Sequence, residues 1–451
     1  MTESLSKPAP SGSTSGSTSG PTSGPTSGSM AGPISGALDL DAVRACFPAF
    51  TTETCANWAF FENAGGAYVP QAVIDRLTRF LTAAKVQPGA PYPASALATE
   101  MMAEGVRAMA TLVNVAPEAL VIGADTSTNL HVLANALAPL IEPGDEVVVT
   151  NLDHEANITP WRRLTRRGAT VREWRFDPET GALSLDGLTA LLTENTRLVC
   201  LPQASNITGA VCDAAAAVRL AHEAGALAVV DGVSHAPHAL VDGSALDADA
   251  YAFSAYKVFG PHVGVLAVRP SLMARLENQN HMFLAGHGAL TVNPGGPNHE
   301  LTAALAGVTD YLDALYARHV GGEGEEDDGG AAPSARARVA ALFALFERHQ
   351  SALTGRLLAG LRDHPAVRII GAPTVGPHRS PTVAFTHRRL SSRAVAEHLR
   401  GHRVAVRHGH FYAWRCMQAL GLDPEDGVVR ASLVHYTSAE DVDRLLAHLP
   451  A

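Results

Sequence analysis

The sequence has few cysteines and no long apolar run. Its 451 residues contain five cysteines, and none of these forms a Cys-x-x-Cys pair. Because an odd, sparse set argues against a disulfide framework, we expect a reducing compartment and a cytoplasmic location. The longest apolar runs, such as Ala226–Val230, fall far short of the roughly 20 residues that a membrane-spanning helix needs. We therefore expect no membrane-spanning segment.

Positive charge is also scarce, because 34 Lys and Arg stand against 44 Asp and Glu, for a formal net charge of −10. A nucleic-acid-binding protein needs a basic face, so we expect no nucleic-acid partner. The 20 histidines include no set that Glu or Cys would complete as a zinc site, so we expect no metal. Glycine-rich nucleotide-binding motifs are missing as well.

Composition divides the chain into three parts. Residues 1–36 form a Gly/Ser/Thr/Pro tract that cannot bury enough apolar surface to fold, and we expect it to be disordered. Residues 37–297 read as a large domain, with an N-terminal segment that joins the small domain. Residues 298–451 read as a smaller C-terminal α+β domain, in which the Gly-rich, acidic stretch 321–333 is predicted to be a solvated loop.

Between about Leu120 and Arg269, short β-branched runs alternate with helical patterns. This alternation predicts βαβ units and a mostly parallel sheet. The predicted strands are Glu146–Thr150, Thr170–Arg175, Arg197–Leu201, Leu227–Asp231, Ala250–Ser254 and Gly264–Val268. The predicted helices are Ser127–Ala138, Asn157–Arg167, Leu185–Leu192, Ala214–Ala224, His299–His319, Arg336–Leu361 and Trp414–Leu420.

Chemically active side chains follow several of these strands. Ligands of a parallel α/β sheet bind outside the carboxyl ends of its strands. We therefore expect these side chains to converge at one edge of the sheet: His154, Asn206, Asp231, Ser254 and Lys257.

Pyridoxal phosphate (PLP) is the cofactor that uses such a set. A lysine bonds covalently to it, and an acidic partner keeps its pyridine nitrogen protonated. A histidine can lie flat over the ring, and an asparagine can bond the ring oxygen. Thr126 and Ser127 begin a predicted helix whose N-terminus can hold the phosphate, while Asp125 is expected to cap that helix and point away.

At these residues the sequence resembles the class V aminotransferase superfamily, in its cysteine desulfurase-like branch. The resemblance runs in order from about residue 40 to the end of the chain. The matching segments are Phe61-Glu-Asn-Ala-Gly-Gly66, Leu152-Asp-His-Glu-Ala-Asn-Ile-Thr-Pro-Trp161, Ala204-Ser-Asn-Ile-Thr-Gly209, Val230-Asp-Gly232, Phe253-Ser-Ala-Tyr-Lys-Val-Phe-Gly-Pro261, Val406-Arg-His-Gly-His410 and Val429-Arg-Ala-Ser-Leu433.

The resemblance implies an α/β protein of PLP-transferase fold-type I, active on a small-molecule amino acid and assembled as a homodimer. Its large domain would hold a mostly parallel seven-stranded sheet, and a smaller α+β domain would close over it. Lys257 would link to PLP and carry the proton, Asp231 would pair with the pyridine nitrogen, and His154 would stack on the ring. Further contacts are implied for Asn206 with the ring oxygen, for Ser254 and Thr126 or Ser127 with the phosphate, and for Arg430, Arg407 and Asn63 with the substrate.

Three positions depart from the family's pattern. Tyr412 stands where desulfurases carry their nucleophilic cysteine, and Cys416 lies four residues further along, in a predicted helix. Ser234 replaces a frequent Gln, and His235 is the residue that we expect to take over the phenolic side of PLP. Gly296 replaces a Thr that offers its hydroxyl to the neighbouring subunit's phosphate, where a backbone N–H could substitute.

These departures favour β-elimination over persulfide formation, because the mobile cysteine that attacks sulfur is missing. The leading hypothesis is therefore a C–S lyase acting on cysteine or a cysteine S-conjugate, with Tyr412 beside the substrate. An aminotransferase, an epimerase or a decarboxylation-coupled deaminase of the same superfamily stays open. So does a desulfurase that uses Cys416.

Overall fold

The computed structural model describes residues 37–320 and 332–451. The predicted tail 1–36 lies outside the described residues, as does most of the predicted acidic loop 321–333, so both stay predictions. Within the described ranges, no helix is both long and apolar enough to cross a membrane. All five cysteines are described, and all are free thiols. The cytoplasmic location stays a prediction.

The strands within the described residues form three sheets, of seven, four and two strands. Their bounds are β1 Ala59–Phe60, β2 Leu120–Gly123, β3 Glu146–Thr150, β4 Thr170–Trp174, β5 Thr196–Pro202, β6 Leu227–Asp231, β7 Ala250–Ser254, β8 Gly264–Val268, β9 Val367–Ile370, β10 Thr382–His387, β11 Val404–Ala405, β12 Arg407–Gly409 and β13 Val428–Ser432.

The described α-helices lie mostly between these strands and in one long stretch before β9. Their bounds are α1 Leu40–Ala45, α2 Gln71–Ala83, α3 Pro93–Val113, α4 Thr126–Leu137, α5 Thr159–Arg162, α6 Leu185–Thr189, α7 Ala214–Glu223, α8 Gly243–Leu246, α9 Pro270–Met273, α10 His299–Ala304, α11 Ala306–His319, α12 Ala335–Asp363, α13 Ser392–Gly401, α14 Trp414–Ala419 and α15 Ala439–Ala447.

The seven-stranded sheet has the order β2-β8-β7-β6-β5-β3-β4. Its strands are parallel except β8, which runs antiparallel to both β2 and β7. Five strands of this sheet consist mostly of apolar residues, and nearly all of their residues are buried: β3, β5, β6, β7 and β8. This composition is typical of strands in a parallel sheet that is covered on both faces. The predicted mostly parallel seven-stranded sheet is confirmed, and with it the α/β fold class.

Four short strands of the C-terminal region build a second, antiparallel sheet of order β12-β13-β10-β9. The N-terminal strand β1 pairs in parallel with β11, so residues near Ala59 lie with this region. One apolar core joins Ala59 and Phe61 to Leu357 of α12, Phe385 of β10 and Val429 of β13. The N-terminal segment therefore packs with the C-terminal sheet.

The predicted elements differ from the observed ones at several places, three of which are instructive. β2 was not among the predicted strands, because it has only four residues and its pairing partner, β8, is distant in sequence. The predicted helix His299–His319 is two helices, since α10 ends at Ala304 and α11 begins at Ala306. The predicted helix Asn157–Arg167 is a short α5 between two 3-10 turns.

Candidate active site

A pocket opens at the carboxyl ends of β5, β6 and β7, beside the start of α4. The register of the sheet brings these ends level, since Pro202 pairs with Asp231 and Asp231 with Ala252. The pocket collects seven of the predicted cofactor residues. Its lining consists of Thr126, Ser127, Asp153, His154, Ala156, Ala204, Asn206, Asp231, Val233, Ser234, Ser254, Tyr256 and Lys257.

Lys257 and Asp231 supply opposite charges within this pocket. Burial, together with the positive charge of Arg430, lowers the pKa of Lys257 to about 7, and the charge of Asp231 opposes that shift. Burial raises the pKa of Asp231 to about 6, while the N–H of Val233, 2.8 Å from Oδ1, opposes the rise. Near neutral pH the lysine therefore has a substantial neutral, nucleophilic fraction, and Asp231 is mostly ionised.

His154 follows β3 and projects into the same pocket. Burial and the charge of Lys257 lower its pKa to about 3, so the imidazole is neutral at neutral pH. Its Nδ1 accepts the N–H of Ala156 at 3.1 Å, which fixes the ring relative to the backbone. A neutral, fixed aromatic ring suits the predicted stacking position over a cofactor ring.

The first turn of α4 carries the residues predicted to hold the phosphate. The hydroxyls of Thr126 and Ser254 lie 2.8 Å apart and both line the pocket. Asp125 caps the helix by accepting the N–H of Thr128 at 2.8 Å, so its charge is directed to its own helix, as predicted. A Cβ at Gly264 would lie 2.3 Å from the carbonyl carbon of Asp125. Glycine at that position lets the helix N-terminus approach β8 closely.

Asn206 lines the pocket with an unused acceptor. Its Nδ2 donates to the carbonyl oxygen of Phe411 at 2.9 Å, and its buried Oδ1 has no hydrogen-bond partner within the described residues. Such an atom is costly unless a ligand satisfies it. Together with Lys257, Asp231 and the N-terminus of α4, this free acceptor fits PLP.

Arg430 lies in the middle of β13 and is 4% exposed. Its guanidinium stacks 3.8 Å from the ring centroid of Phe411, and Nη1 donates to the carbonyl oxygen of Asn206 at 3.2 Å. Burial lowers its pKa to about 9, which leaves it charged at neutral pH. A desolvated guanidinium next to the pocket is suited to hold a substrate carboxylate.

The other predicted substrate residues lie around Arg430 with different exposure. Arg407 is exposed and pairs with Glu62 at 3.1 Å. Asn63 is buried, where it donates to the carbonyl oxygen of Ser432 at 2.7 Å and accepts from the Tyr436 hydroxyl. Because the amide nitrogen and the amide oxygen of Asn63 are both hydrogen-bonded within the protein, its side chain stabilises the local fold and has no unpaired group to offer a substrate.

Tyr412 lies against the pocket from the loop between β12 and α14. Its ring centroid is 5.1 Å from that of His154, at an interplanar angle of 37°. Cys416, in α14, is fully buried, and burial raises the pKa of its thiol. The structure thus places Tyr412 against His154 at the edge of the pocket and keeps the thiol of Cys416 away from solvent.

The structure does not place His235 or Gly296 among the residues that line the pocket. The chain after Asp231 turns tightly, with the N–H groups of His235 and Ala236 both 2.9 Å from the carbonyl oxygen of Gly232. That turn presents Val233 and Ser234 to the pocket, and His235 lines a separate cavity of about 790 Å³. The N–H of Gly296 donates to Asn293 within its own turn, so it is not available to a neighbouring phosphate.

The polar pocket residues that were not predicted as site residues include Asp153 and Tyr256. Asp153 is buried, and burial together with the charge of Asp231 holds its pKa well above the usual range. Its carboxylate accepts the N–H of His154 and the Nδ2 of Asn157, so it supports the His154 turn. Tyr256 precedes Lys257 and stacks on His262 at 4.2 Å. Asp153 and Tyr256 each follow the end of a strand, and that position in the sequence could have identified them as pocket residues.

Comparison with known proteins agrees with this geometry. The sequence model of the family described as aminotransferase class-V matches residues 59–292 and 339–445. The aminotransferase-like protein FGM3 of Gibberella zeae is 34% identical, over 92% of this chain and 98% of its own. A cysteine desulfurase of Dickeya dadantii is 32% identical, over 91% of this chain and 96% of its own.

A solved structure shows the same fold. The apo cysteine desulfurase from Thermococcus onnurineus superposes with a TM-score of 0.78 at 24% identity, covering 90% of this chain and 96% of its own. No group of three or more His, Cys, Asp or Glu side chains among the described residues is placed to hold a metal ion.

Proposed function

The chain belongs to the class V aminotransferase family and is a PLP-dependent enzyme, and we propose that it is a C–S lyase acting on cysteine or a cysteine S-conjugate. The observation that carries this proposal is Tyr412, which lies against His154 at the position where the desulfurase-like branch has its nucleophilic cysteine. A phenol cannot accept sulfur to form a persulfide. If the reaction takes place at the substrate's C–S bond, the thiol would then leave by elimination.

The cysteines of the chain support the same conclusion. The residues that line the pocket include none of the five cysteines, all of which are described. Cys416 lies four residues beyond Tyr412, but it is fully buried in α14, and burial raises the pKa of its thiol. A buried, protonated thiol is a poor nucleophile. The alternative of a desulfurase that uses Cys416 therefore has no structural support.

PLP, when bound, supplies an electron sink for the bonding electrons released at the substrate's Cα. Arg430 would bind the substrate carboxylate and orient the Cα–H bond, since its guanidinium is buried and held by Phe411. Asp231 would hold a proton on the pyridine nitrogen through its negative charge. Asn206 would contact the ring oxygen, and Thr126, Ser127 and Ser254 would hold the phosphate.

Lys257 would move the proton. The neutral amine accepts the proton from Cα, which its lowered pKa of about 7 permits near neutral pH. The Cβ–S bond then breaks, and the electron pair leaves with sulfur as a thiolate, which takes up a proton. Water completes the reaction, and the carbon skeleton ends as pyruvate with its nitrogen as ammonia.

A homodimer is part of the proposal. Met282 and Phe283 are 88% and 70% exposed, and adjacent apolar side chains with this exposure are typical of a covered surface. They lie in the same stretch as Asn293 and Gly296, where the family resemblance places the neighbouring subunit. Sedimentation equilibrium is expected to give twice the chain mass; a monomer at micromolar concentration would contradict it.

The lyase proposal is tested with S-methyl-L-cysteine and the PLP-loaded protein. We expect pyruvate, ammonia and methanethiol in equal amounts, measured by mass spectrometry and a thiol reagent. Lys257→Ala is the control, and its rate should fall by a factor of about 100 or more, because the proton acceptor is lost. If the substrate is consumed without release of a thiol, the reaction is instead transamination, epimerisation or decarboxylation.

A further inference from the structure

An aromatic surface lies outside the pocket and continues from His154. It consists of Tyr412, His410 and Trp414, which we call the aromatic wall. Tyr412 is 65% exposed and Trp414 is 37% exposed. The ring centroid of His410 lies 6.1 Å from the ring centroid of Tyr412 and 5.3 Å from that of Trp414. Large exposed aromatic rings that extend an active-site pocket mark a binding surface for an apolar or planar group.

The wall is held in place by the backbone around it. The carbonyl oxygen of Tyr412 accepts the N–H of Glu155 at 2.8 Å, and its own N–H donates to Nδ1 of His410 at 3.0 Å. The preceding carbonyl, of Phe411, is bound by Asn206. The backbone of Tyr412 is thus anchored to the two loops that carry His154 and Asn206, which holds its Cα beside the pocket.

This backbone is strained. Phe411 and Tyr412 have φ values of +48° and +59°, in the left-handed region that bulky residues rarely adopt. Residues in that region are destabilised, and such strain tends to persist where the conformation serves function. The strain here turns Phe411 toward Arg430 and Tyr412 toward His154.

The position of Arg430 decides where a substrate's side chain must lie. Arg430 is stacked on Phe411, and the next residue along the chain is Tyr412. A substrate held by its carboxylate at Arg430, with its Cα between Lys257 and His154, has its Cβ substituent as the remaining group. Since Tyr412 contacts His154 and directly follows Phe411 in the chain, the aromatic wall is the surface that this substituent would meet.

We propose that Tyr412 forms a subsite for an apolar, planar group on the substrate's sulfur, which makes S-aryl or S-benzyl conjugates of cysteine better substrates than free cysteine. This inference rests on the proposed function, because it takes the amino-acid binding mode from it. Tyr412 acts in it as a specificity-determining residue that touches the substrate. Free cysteine has no group that could reach the ring.

The test measures binding without turnover. The probes are 3-(benzylthio)propanoate and 3-(methylthio)propanoate, which carry the carboxylate and the thioether but no amine, so they cannot react. Isothermal titration calorimetry with the PLP-loaded protein gives both dissociation constants. Tyr412→Phe keeps the ring, and Tyr412→Asn removes it while retaining a residue that tolerates left-handed φ. Tyr92→Ala, at another exposed tyrosine, is the matched control.

We expect Tyr412→Asn to weaken binding of the benzyl probe about ten-fold, as loss of a ring contact and its buried area predicts. Binding of the methyl probe should stay within about two-fold, and Tyr412→Phe and Tyr92→Ala should match the wild type. In turnover assays, Tyr412→Asn should reduce kcat/KM for S-benzyl-L-cysteine more than for S-methyl-L-cysteine.

Equal affinity of wild type and Tyr412→Asn for the benzyl probe would overturn the subsite. If the probes behave as expected and no cysteine derivative yields pyruvate, the subsite stands and the lyase proposal falls. If pyruvate forms but Tyr412→Asn changes neither probe, the lyase proposal stands and the subsite falls.

Discussion

Individual side chains in the pocket have unusual charge states because they are buried together. Lys257 loses much of its positive charge near neutral pH, since burial and the neighbouring Arg430 both oppose it. His154 is neutral for the same two reasons, burial and nearby positive charge. Asp231 is the one of these three that is mostly charged at neutral pH. This combination provides a free amine next to an anion.

The charge state of Lys257 predicts the pH dependence of PLP uptake. The neutral amine is the form that bonds to a carbonyl carbon, and its share grows as the pH rises through the lowered pKa of about 7. The rate of PLP uptake, followed by visible absorbance, should therefore rise between about pH 6 and about pH 8 and then level off.

A substitution of Arg430 tests whether its charge causes the lowered pKa of Lys257. Arg430→Gln removes a positive charge that lowers the pKa of Lys257, so the rise should move to higher pH. A rate that keeps climbing to about pH 10 in the wild type would mean that Lys257 has an ordinary lysine pKa.

Most of the pocket was predictable from sequence, because parallel strands end at the same edge and the residues after each end are readable. His154, Asn206, Asp231 and Lys257 are all located in this way. His235 was misplaced because a tight turn after Asp231 decides which side chains face the pocket, and that turn has no clear sequence signal. The unsatisfied Oδ1 of Asn206 and the contact between Phe411 and Arg430 are tertiary and needed coordinates.

At the scale of elements, the pocket depends on the close approach of α4 to the sheet. The first turn of α4 lies over β8, and the approach requires that Gly264 have no side chain. Thr126 then reaches Ser254 at the end of β7. The phosphate site is thus a joint property of one helix and two strands.

Gly264→Ala tests this packing. The added Cβ would lie 2.3 Å from the carbonyl carbon of Asp125 and 2.5 Å from the nitrogen of Thr126, so α4 must move away. We expect the free energy of unfolding to fall by about 1–3 kcal/mol and PLP to bind more weakly. Urea denaturation and PLP titration measure the two effects.

Gly401→Ala is the matched control, because it lies at the end of α13 with no atom within 4 Å of an added Cβ. It should leave PLP binding unchanged and leave stability unchanged or slightly raised. Unchanged PLP affinity in Gly264→Ala would show that the approach of α4 does not shape the phosphate site.

At the scale of the whole molecule, residues far apart in sequence meet at one pocket. Thr126 lies on α4, Lys257 follows β7, and Arg430 lies on β13 of the other sheet. The parallel sheet could be predicted from alternating strands and helices, whereas the pairing of β1 with β11 joins residues distant in sequence and could not. The strand β2 could not be predicted either, because it pairs with β8, which is distant in sequence.

We propose that this family member breaks the Cβ–S bond by elimination and forms no persulfide. Product analysis by mass spectrometry, after the PLP-loaded protein has been incubated with L-cysteine, tests this proposal, with Cys416→Ala alongside the wild type. We expect slow release of pyruvate, ammonia and sulfide, equal in both proteins. Alanine with sulfane sulfur on the protein, lost in Cys416→Ala, would contradict it and identify a desulfurase.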